Sequence, residues 1–164
     1  MALALLTNVT YWVNIAPGVR MPSMSLGTCC GSWPSVGIQP WLDAGGVGID
    51  TAFDYSHAVP GGGTVTSQDE IRTTLSALKV PREKLFLTTK VPAGVGAAMA
   101  AEAGVADVDC TLDPTRAISV LKEDLERLGV SQVDLVLLHG PCELAGKNAS
   151  KVDAAKANLA QVES

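Results

Sequence analysis

Three apolar runs in this chain end abruptly in a side chain that can hold or give a proton. Val47-Gly48-Ile49 ends in Asp50, Leu85-Phe86-Leu87-Thr88-Thr89 in Lys90, and Leu135-Val136-Leu137-Leu138 in His139. Short runs rich in Val, Leu and Ile, bounded by turn residues, read as strands covered on both faces. An acid, an amine and an imidazole, each at the C-terminal end of its own buried strand, is how a parallel barrel gathers reactive groups at one rim. Tyr55 follows Asp50 across a turn and brings a phenol to the same rim.

The segments between these runs supply the connections a parallel sheet needs. Tyr11 to Ile15 alternates loosely with period two, Ala16-Pro17-Gly18 is turn chemistry, and Val19-Arg20-Met21 returns, so residues 11–22 read as a hairpin. Met24 to Thr28 is a first short strand, where Gly27 suggests a bulge or close backbone approach. Ile38, Trp41 and Leu42 have helical spacing before the Gly45-Gly46 stop. His57 to Thr66 reads as a loop, centred on Pro60-Gly61-Gly62-Gly63. Ser67 and Glu70 form a capping box ahead of Ile71, Leu75 and Leu78 on one helical face. Pro92 to Cys110 looks like a variable insertion. Asp113-Pro114 then opens a helix with Ile118, Leu121, Leu125 and Leu128 as its buried stripe. Lys122 and Glu126 lie on its wet side.

The order is a hairpin, three strand-helix units and a fourth strand, which calls for right-handed crossovers and an α/β fold with a parallel sheet. The expected organisation is one domain over residues 1–164. The hairpin occupies 11–22, the four strands with their connecting helices occupy 24–140, and 143–164 is a polar tail or the start of a further helix. Four strands do not close a barrel, which takes eight strands and about 250 residues.

Composition narrows the function. Hydrophobic residues make up 47% of the 164, which excludes a disordered chain. Net charge is −5 with no basic block, which argues against nucleic acid or an anionic membrane as partner. No apolar run approaches the roughly 20 residues of a membrane helix. The Met1–Leu6 start lacks the basic region and cleavage site of a signal peptide, so the expected location is cytoplasmic. The four cysteines lack C-x-x-C spacing, so the expectation is reduced thiols and no metal site. Two histidines without a His-x-His pair argue against a metal-dependent hydrolase.

Five stretches together resemble the aldo-keto reductase family. They are Met21 to Thr28, Gly48 to Ala52 with Tyr55, Val80 to Lys90, Ser119 to Leu138, and His139-Gly140-Pro141. The resemblance covers residues 11 to 142 and implies the N-terminal half of a (β/α)8 TIM-type barrel, with the hairpin as the plug at its bottom. It implies Asp50, Tyr55, Lys90 and His139 as catalytic residues, and Gly27, Thr28 and Asp50 at the cofactor. It also implies NADP(H), with NAD(H) as the other choice, and a small-molecule carbonyl substrate. Cys29 and Gly140 stand where many members carry tryptophan, which marks both as substrate-pocket positions. The family's Asn-Glu after the tyrosine is displaced to about Gln68–Glu70, behind the enlarged loop.

The residue types suit that chemistry. A phenol holds its proton at neutral pH, and a nearby ammonium favours the phenolate. The ammonium needs a carboxylate partner in a dry pocket, so Lys90 and Asp50 pair, Tyr55 is the general acid, and His139 binds the substrate oxygen. The competing reading is a catalytically incompetent truncated or regulatory protein on the same scaffold, self-associating through exposed strand edges.

Overall fold

A computed structural model describes residues 11–91 and 114–139. Gly140, Cys110, Cys142, Asp113, the 92–110 stretch and the polar tail lie outside the described residues. The described chain runs β1 (Trp12–Ala16), β2 (Val19–Pro22), β3 (Ser25–Gly27), α1 (Pro34–Asp43), β4 (Gly48–Asp50), β5 (Ser56–Ala58), β6 (Thr64–Thr66), α2 (Ser67–Leu78), β7 (Phe86–Val91), α3 (Pro114–Leu128) and β8 (Leu135–Leu138). A short 3-10 turn at Arg82–Lys84 precedes β7.

The sheet that carries the site has the order β3-β4-β7-β8 and is parallel throughout. Asp50 pairs with Thr88, and Lys90 with Leu137. Side chains alternate along a strand, so this register decides which residues share a face. Ile49, Leu87 and Leu26 go to the helix side, where they meet Ile38 of α1, Ile71 of α2 and Leu128 of α3. Gly48, Asp50, Phe86, Thr88 and Lys90 go to the opposite side. Continuing the alternation of β8 puts His139 there too. β7 is the strand most covered on both sides, which its continuous Phe86-Leu87-Thr88-Thr89 run requires.

The N-terminal hairpin packs at the other end of this second face. The Trp12 ring meets Phe86, the first residue of β7, edge-on with centroids 6.5 Å apart. Gly48, paired with Phe86, has no room for a side chain. A Cβ there would lie 2.3 Å from Ser25 Oγ, 2.9 Å from the Met24 carbonyl oxygen and 3.0 Å from Pro22 Cγ. The sheet is thus plugged at the N-terminal ends of its strands and leaves its reactive side chains at the C-terminal ends.

Four expectations need correction. The stretch from His57 to Thr66 is a second hairpin, β5 against β6, with Ser56 opposite Thr66. Its tip takes φ near +94° at Gly61, +95° at Gly62 and +95° at Gly63, a succession that only glycine follows without a steric penalty. The α2 cap is Thr66 with Asp69, one residue before the expected pair: Thr66 Oγ1 accepts from the Asp69 N–H at 3.1 Å. Ser67 is instead buried, its hydroxyl donating to the Thr28 carbonyl at 2.9 Å. Ile118 is 40% exposed, and the fully buried position on α3 is Asp124. Finally, Cys29 and the adjacent Cys30 are bonded to each other, at a position where Cys30 takes φ 58°.

β3 and β8 are the outer strands of the parallel sheet among the described residues, and Val136 and Leu137 on β8 are each 39% exposed. No helix among the described residues is long and apolar enough to cross a membrane.

Candidate active site

The four expected reactive residues come together at the C-terminal end of the parallel sheet. Lys90 Nζ lies 2.5 Å from Asp50 Oδ1, 3.1 Å from Tyr55 Oη and 3.0 Å from the Thr51 carbonyl oxygen. An ammonium has three protons to donate and no lone pair. All three are met here by a carboxylate, a carbonyl and a phenol. Tyr55 Oη also faces His139 Nε2 at 3.4 Å, and the two rings meet edge-on at 5.3 Å. Lys90 Nζ stands 4.7 Å from the centre of the Tyr55 ring, close enough for a cation–π contribution.

Tyr55 is not on a strand, so its position depends on the turn after β4. That turn continues the ladder along β7: the Thr51 N–H donates to the Thr88 carbonyl at 2.9 Å, and the Phe53 N–H to the Lys90 carbonyl at 3.1 Å. From the far side, Arg127 of α3 donates to the Phe53 carbonyl at 3.0 Å and lays its guanidinium 4.4 Å from the Phe53 ring centre. The Ser67 N–H closes the loop by donating to the Tyr55 carbonyl at 2.9 Å. His139 is held by its own N–H to the Val91 carbonyl at 2.9 Å, which keeps β8 paired with β7 up to the ring.

Of the residues expected at a cofactor, Asp50 is in this cluster, with its side chain 30% exposed. Gly27 is open: a Cβ there would meet nothing within 4 Å. Thr28 is fully buried, and both its N–H and its hydroxyl donate to the Asp50 carbonyl, at 3.1 and 2.9 Å. Thr28 therefore holds β3 to β4 at the Asp50 carbonyl and presents no surface to a ligand. Cys29 follows it into the loop that leads to α1, where the Ser32 N–H donates to the Cys29 carbonyl at 3.0 Å.

Three residues of this region have no role in the sequence reading, which leaves Asp54 as a loop residue. Asp54 Oδ1 lies 2.9 Å from His139 Nδ1. Arg127 braces the turn that carries Tyr55. Asp124 sits directly behind the site, accepting from Gln68 Nε2 at 2.5 Å and from Thr89 Oγ1 at 2.8 Å. Asp124 had a usable signal, since helical spacing places it on the same inner stripe as Leu121 and Leu128. Asp54 had only its place beside the tyrosine.

A second titratable group contains His57, Ser67 and Glu70 but is not a nucleophile site. Ser67 Oγ, at 3.0 Å, and Glu70 Oε2, at 3.7 Å, both address the same nitrogen, His57 Nε2. In an acid-base-nucleophile chain the acid and the nucleophile lie on opposite nitrogens. His57 stacks on Trp33 at 5.1 Å, and Glu70 Oε1 accepts from the Ser35 N–H at 3.0 Å. The group fastens β5 and α2 to the start of α1. Among the described residues, no three His, Cys, Asp or Glu side chains are grouped to hold a metal ion.

The model of the Aldo/keto reductase family matches residues 38–145, more than half of the chain. Morphine 6-dehydrogenase of Pseudomonas putida is 28% identical over 131 residues, which cover 79% of this chain and 36% of that protein. The chain therefore spans about a third of that relative's length. Among solved structures, an aldo-keto reductase (MGS-M4) from a Medee basin deep-sea metagenome library aligns with a TM-score of 0.61 at 21% identity, covering 93% of this chain and 44% of its own. A Bombyx mori aldo-keto reductase in complex with NADP gives 0.59 at 20%, covering 90% and 45%. An aldo-keto reductase complexed with NADPH gives 0.62 at 22%, covering 91% and 43%. At these identities the likeness establishes the fold: the parallel sheet corresponds to part of the (β/α)8 barrel of those proteins.

Proposed function

The chain belongs to the aldo/keto reductase family, and from that premise we propose that its site reduces an aldehyde or ketone with hydride from NADPH, Tyr55 supplying the proton. The observation that carries this reading is Lys90 Nζ bonded at once to Asp50 and to Tyr55 Oη. A phenol gives up its proton readily only where the charge left behind is met. Here the ammonium already donates to that oxygen, and Asp50 balances the ammonium so that it stays charged beside the partly buried phenol.

NADP is taken as the cofactor because two of the similar structures are complexes with NADP or NADPH. The donor set suits the reacting end of such a molecule. Asp50 and Gly27 stand on adjacent strand ends with open space before Gly27, next to the cluster that would deliver the proton. When bound, the dinucleotide supplies hydride to the carbonyl carbon. The chain's own part is to hold the carbonyl oxygen within reach of Tyr55 Oη, pass it the Tyr55 proton, and stabilise the phenolate through Lys90.

The test is an NADPH titration of the chain, followed by the fluorescence of Trp12, Trp33 and Trp41. Saturable quenching in roughly the micromolar-to-millimolar range typical of enzyme substrates is expected, with Asp50→Ala weakening it. A folded sample that shows no saturable response would overturn the cofactor assignment. The same titration with NADH settles the preference between the two nucleotides.

A further inference from the structure

The four-residue cluster leaves one thing undecided: which nitrogen of His139 carries the proton. An imidazole that donates to a substrate oxygen and one that accepts from Tyr55 do opposite chemistry. The backbone N–H of His139 fixes where the residue sits but not its tautomer. Its ring has two polar neighbours, Asp54 Oδ1 at 2.9 Å from Nδ1 and Tyr55 Oη at 3.4 Å from Nε2. Asp54 lies in the turn between β4 and β5, and its side chain is only 11% exposed, so little water competes for it.

We propose that Asp54 is a positioning residue that fixes His139 in its Nδ1–H form and turns the Nε2 lone pair toward the Tyr55 hydroxyl. An ionised carboxylate only accepts, so the contact at Nδ1 requires a proton on that nitrogen. In the neutral ring Nε2 is then an acceptor. At the other side of the phenol, Lys90 can only donate, so Oη accepts from it and directs its own proton elsewhere. The protons therefore line up in one direction. Lys90 donates to Tyr55, Tyr55 to His139 and His139 to Asp54, with Asp50 taking another Lys90 proton at the far end. The Tyr55 proton waits on a long 3.4 Å contact, and an arriving carbonyl oxygen competes for it. On this arrangement the neutral His139 ring orients the phenol's proton instead of donating to the substrate. The role rests on the proposed reduction; the tautomer itself does not.

The test reads the ring nitrogens directly. The chain has two histidines, so 15N-histidine labelling with His139→Gln assigns each one. Long-range 1H–15N spectra, recorded where the ring is neutral, should show His139 with a protonated Nδ1 and a bare Nε2. Asp54→Ala should shift it toward the Nε2–H form that free imidazole side chains favour. Asp54→Asn, which keeps an accepting oxygen, should hold the Nδ1–H form. A wild-type His139 protonated on Nε2 overturns the proposal before any variant is made, so a poorly folding Asp54→Ala protein does not protect it. Retention of Nδ1–H in a folded Asp54→Ala protein overturns it as well. These spectra need neither cofactor nor turnover. The expected tautomers without NADPH binding would leave the Asp54 assignment standing and count against the reductase reading alone. In a form that turns over, Asp54→Ala should lower kcat by about 10- to 100-fold, the cost typical of removing the hydrogen-bond partner that orients a metal-bound histidine. KM should change little, and Asp54→Asn should recover most of kcat.

Discussion

Replacing Tyr55 with phenylalanine should lower NADPH-dependent carbonyl reduction by about 10²- to 10⁴-fold, the usual worth of a positioned general acid. The substitution removes one oxygen and keeps the ring. The edge-on contact with His139 and the cation–π approach of Lys90 should both survive it. What disappears is the proton and the acceptor of one Lys90 hydrogen bond. Lys90 keeps its bonds to Asp50 and to the Thr51 carbonyl, so the ammonium is not stranded and the fold should be little affected. The loss should therefore appear in kcat, with nucleotide affinity near the wild-type value and an unchanged melting temperature. Steady-state kinetics in a form that turns over, alongside NADPH titration of the same variant, separates these quantities. Full turnover in the phenylalanine protein would mean the proton comes from elsewhere and would remove Tyr55 from the mechanism.

The part of this site that was legible in the sequence is the part set by strand alternation. Asp50, Lys90 and His139 each end an apolar run, and parallel pairing with Asp50 opposite Thr88 and Lys90 opposite Leu137 sends all three to one face. Register of that kind follows from where the buried residues fall. Residues placed by turns were harder to read. Asp54 is fixed by a loop whose path depends on the Phe53 and Tyr55 backbone bonds and on Arg127, sequence-distant partners that no local pattern reveals. The β5–β6 hairpin was missed for a similar reason. Three-residue strands offer too little alternation, and the glycine tip reads equally well as an open loop. The α2 cap slipped by one because Thr66-x-x-Asp69 and Ser67-x-x-Glu70 both have cap-like spacing. Burial of Ser67 against Thr28 and His57 decides between them. The Ile118 error has the same root. Periodicity marks a face but not how far along the helix that face stays covered, and on α3 the core reaches fully only to Leu128.

Asp124 is the apparent violation of that periodicity, and it yields the second large effect. Its carboxyl is fully buried, and its pKa is pushed up from 3.8 to about 6. Burial is the main cause. The bonds from Gln68 and Thr89 and the Arg127 charge work the other way, and Glu123 adds slightly to the rise. A raised carboxyl pKa means the folded chain holds this proton more tightly than the unfolded chain does. The contribution to stability is thus fully present below pH 3.8 and is lost as pH rises through about 6. A shift of this size corresponds to on the order of 2–3 kcal/mol. Asparagine at 124 cannot ionise. Its carbonyl can accept from Thr89 or Gln68, and its amide can donate to Gln68 Oε1, which is buried without a partner. The stability of Asp124→Asn relative to wild type should therefore climb with pH, by about 2–3 kcal/mol between pH 4 and pH 8. Urea denaturation of both proteins across that range measures it, and groups that titrate identically in the two cancel in the difference. A difference that does not vary with pH would mean the carboxyl is not held protonated by its surroundings. Thr89 directly precedes Lys90 on β7 and faces Asp124 on the opposite side of the sheet, so the ionised carboxylate at neutral pH ties α2 and α3 to the strand that carries the reactive amine. If that tie also holds Lys90 in register, Asp124→Asn should be the more stable protein at pH 8 without strengthening NADPH binding.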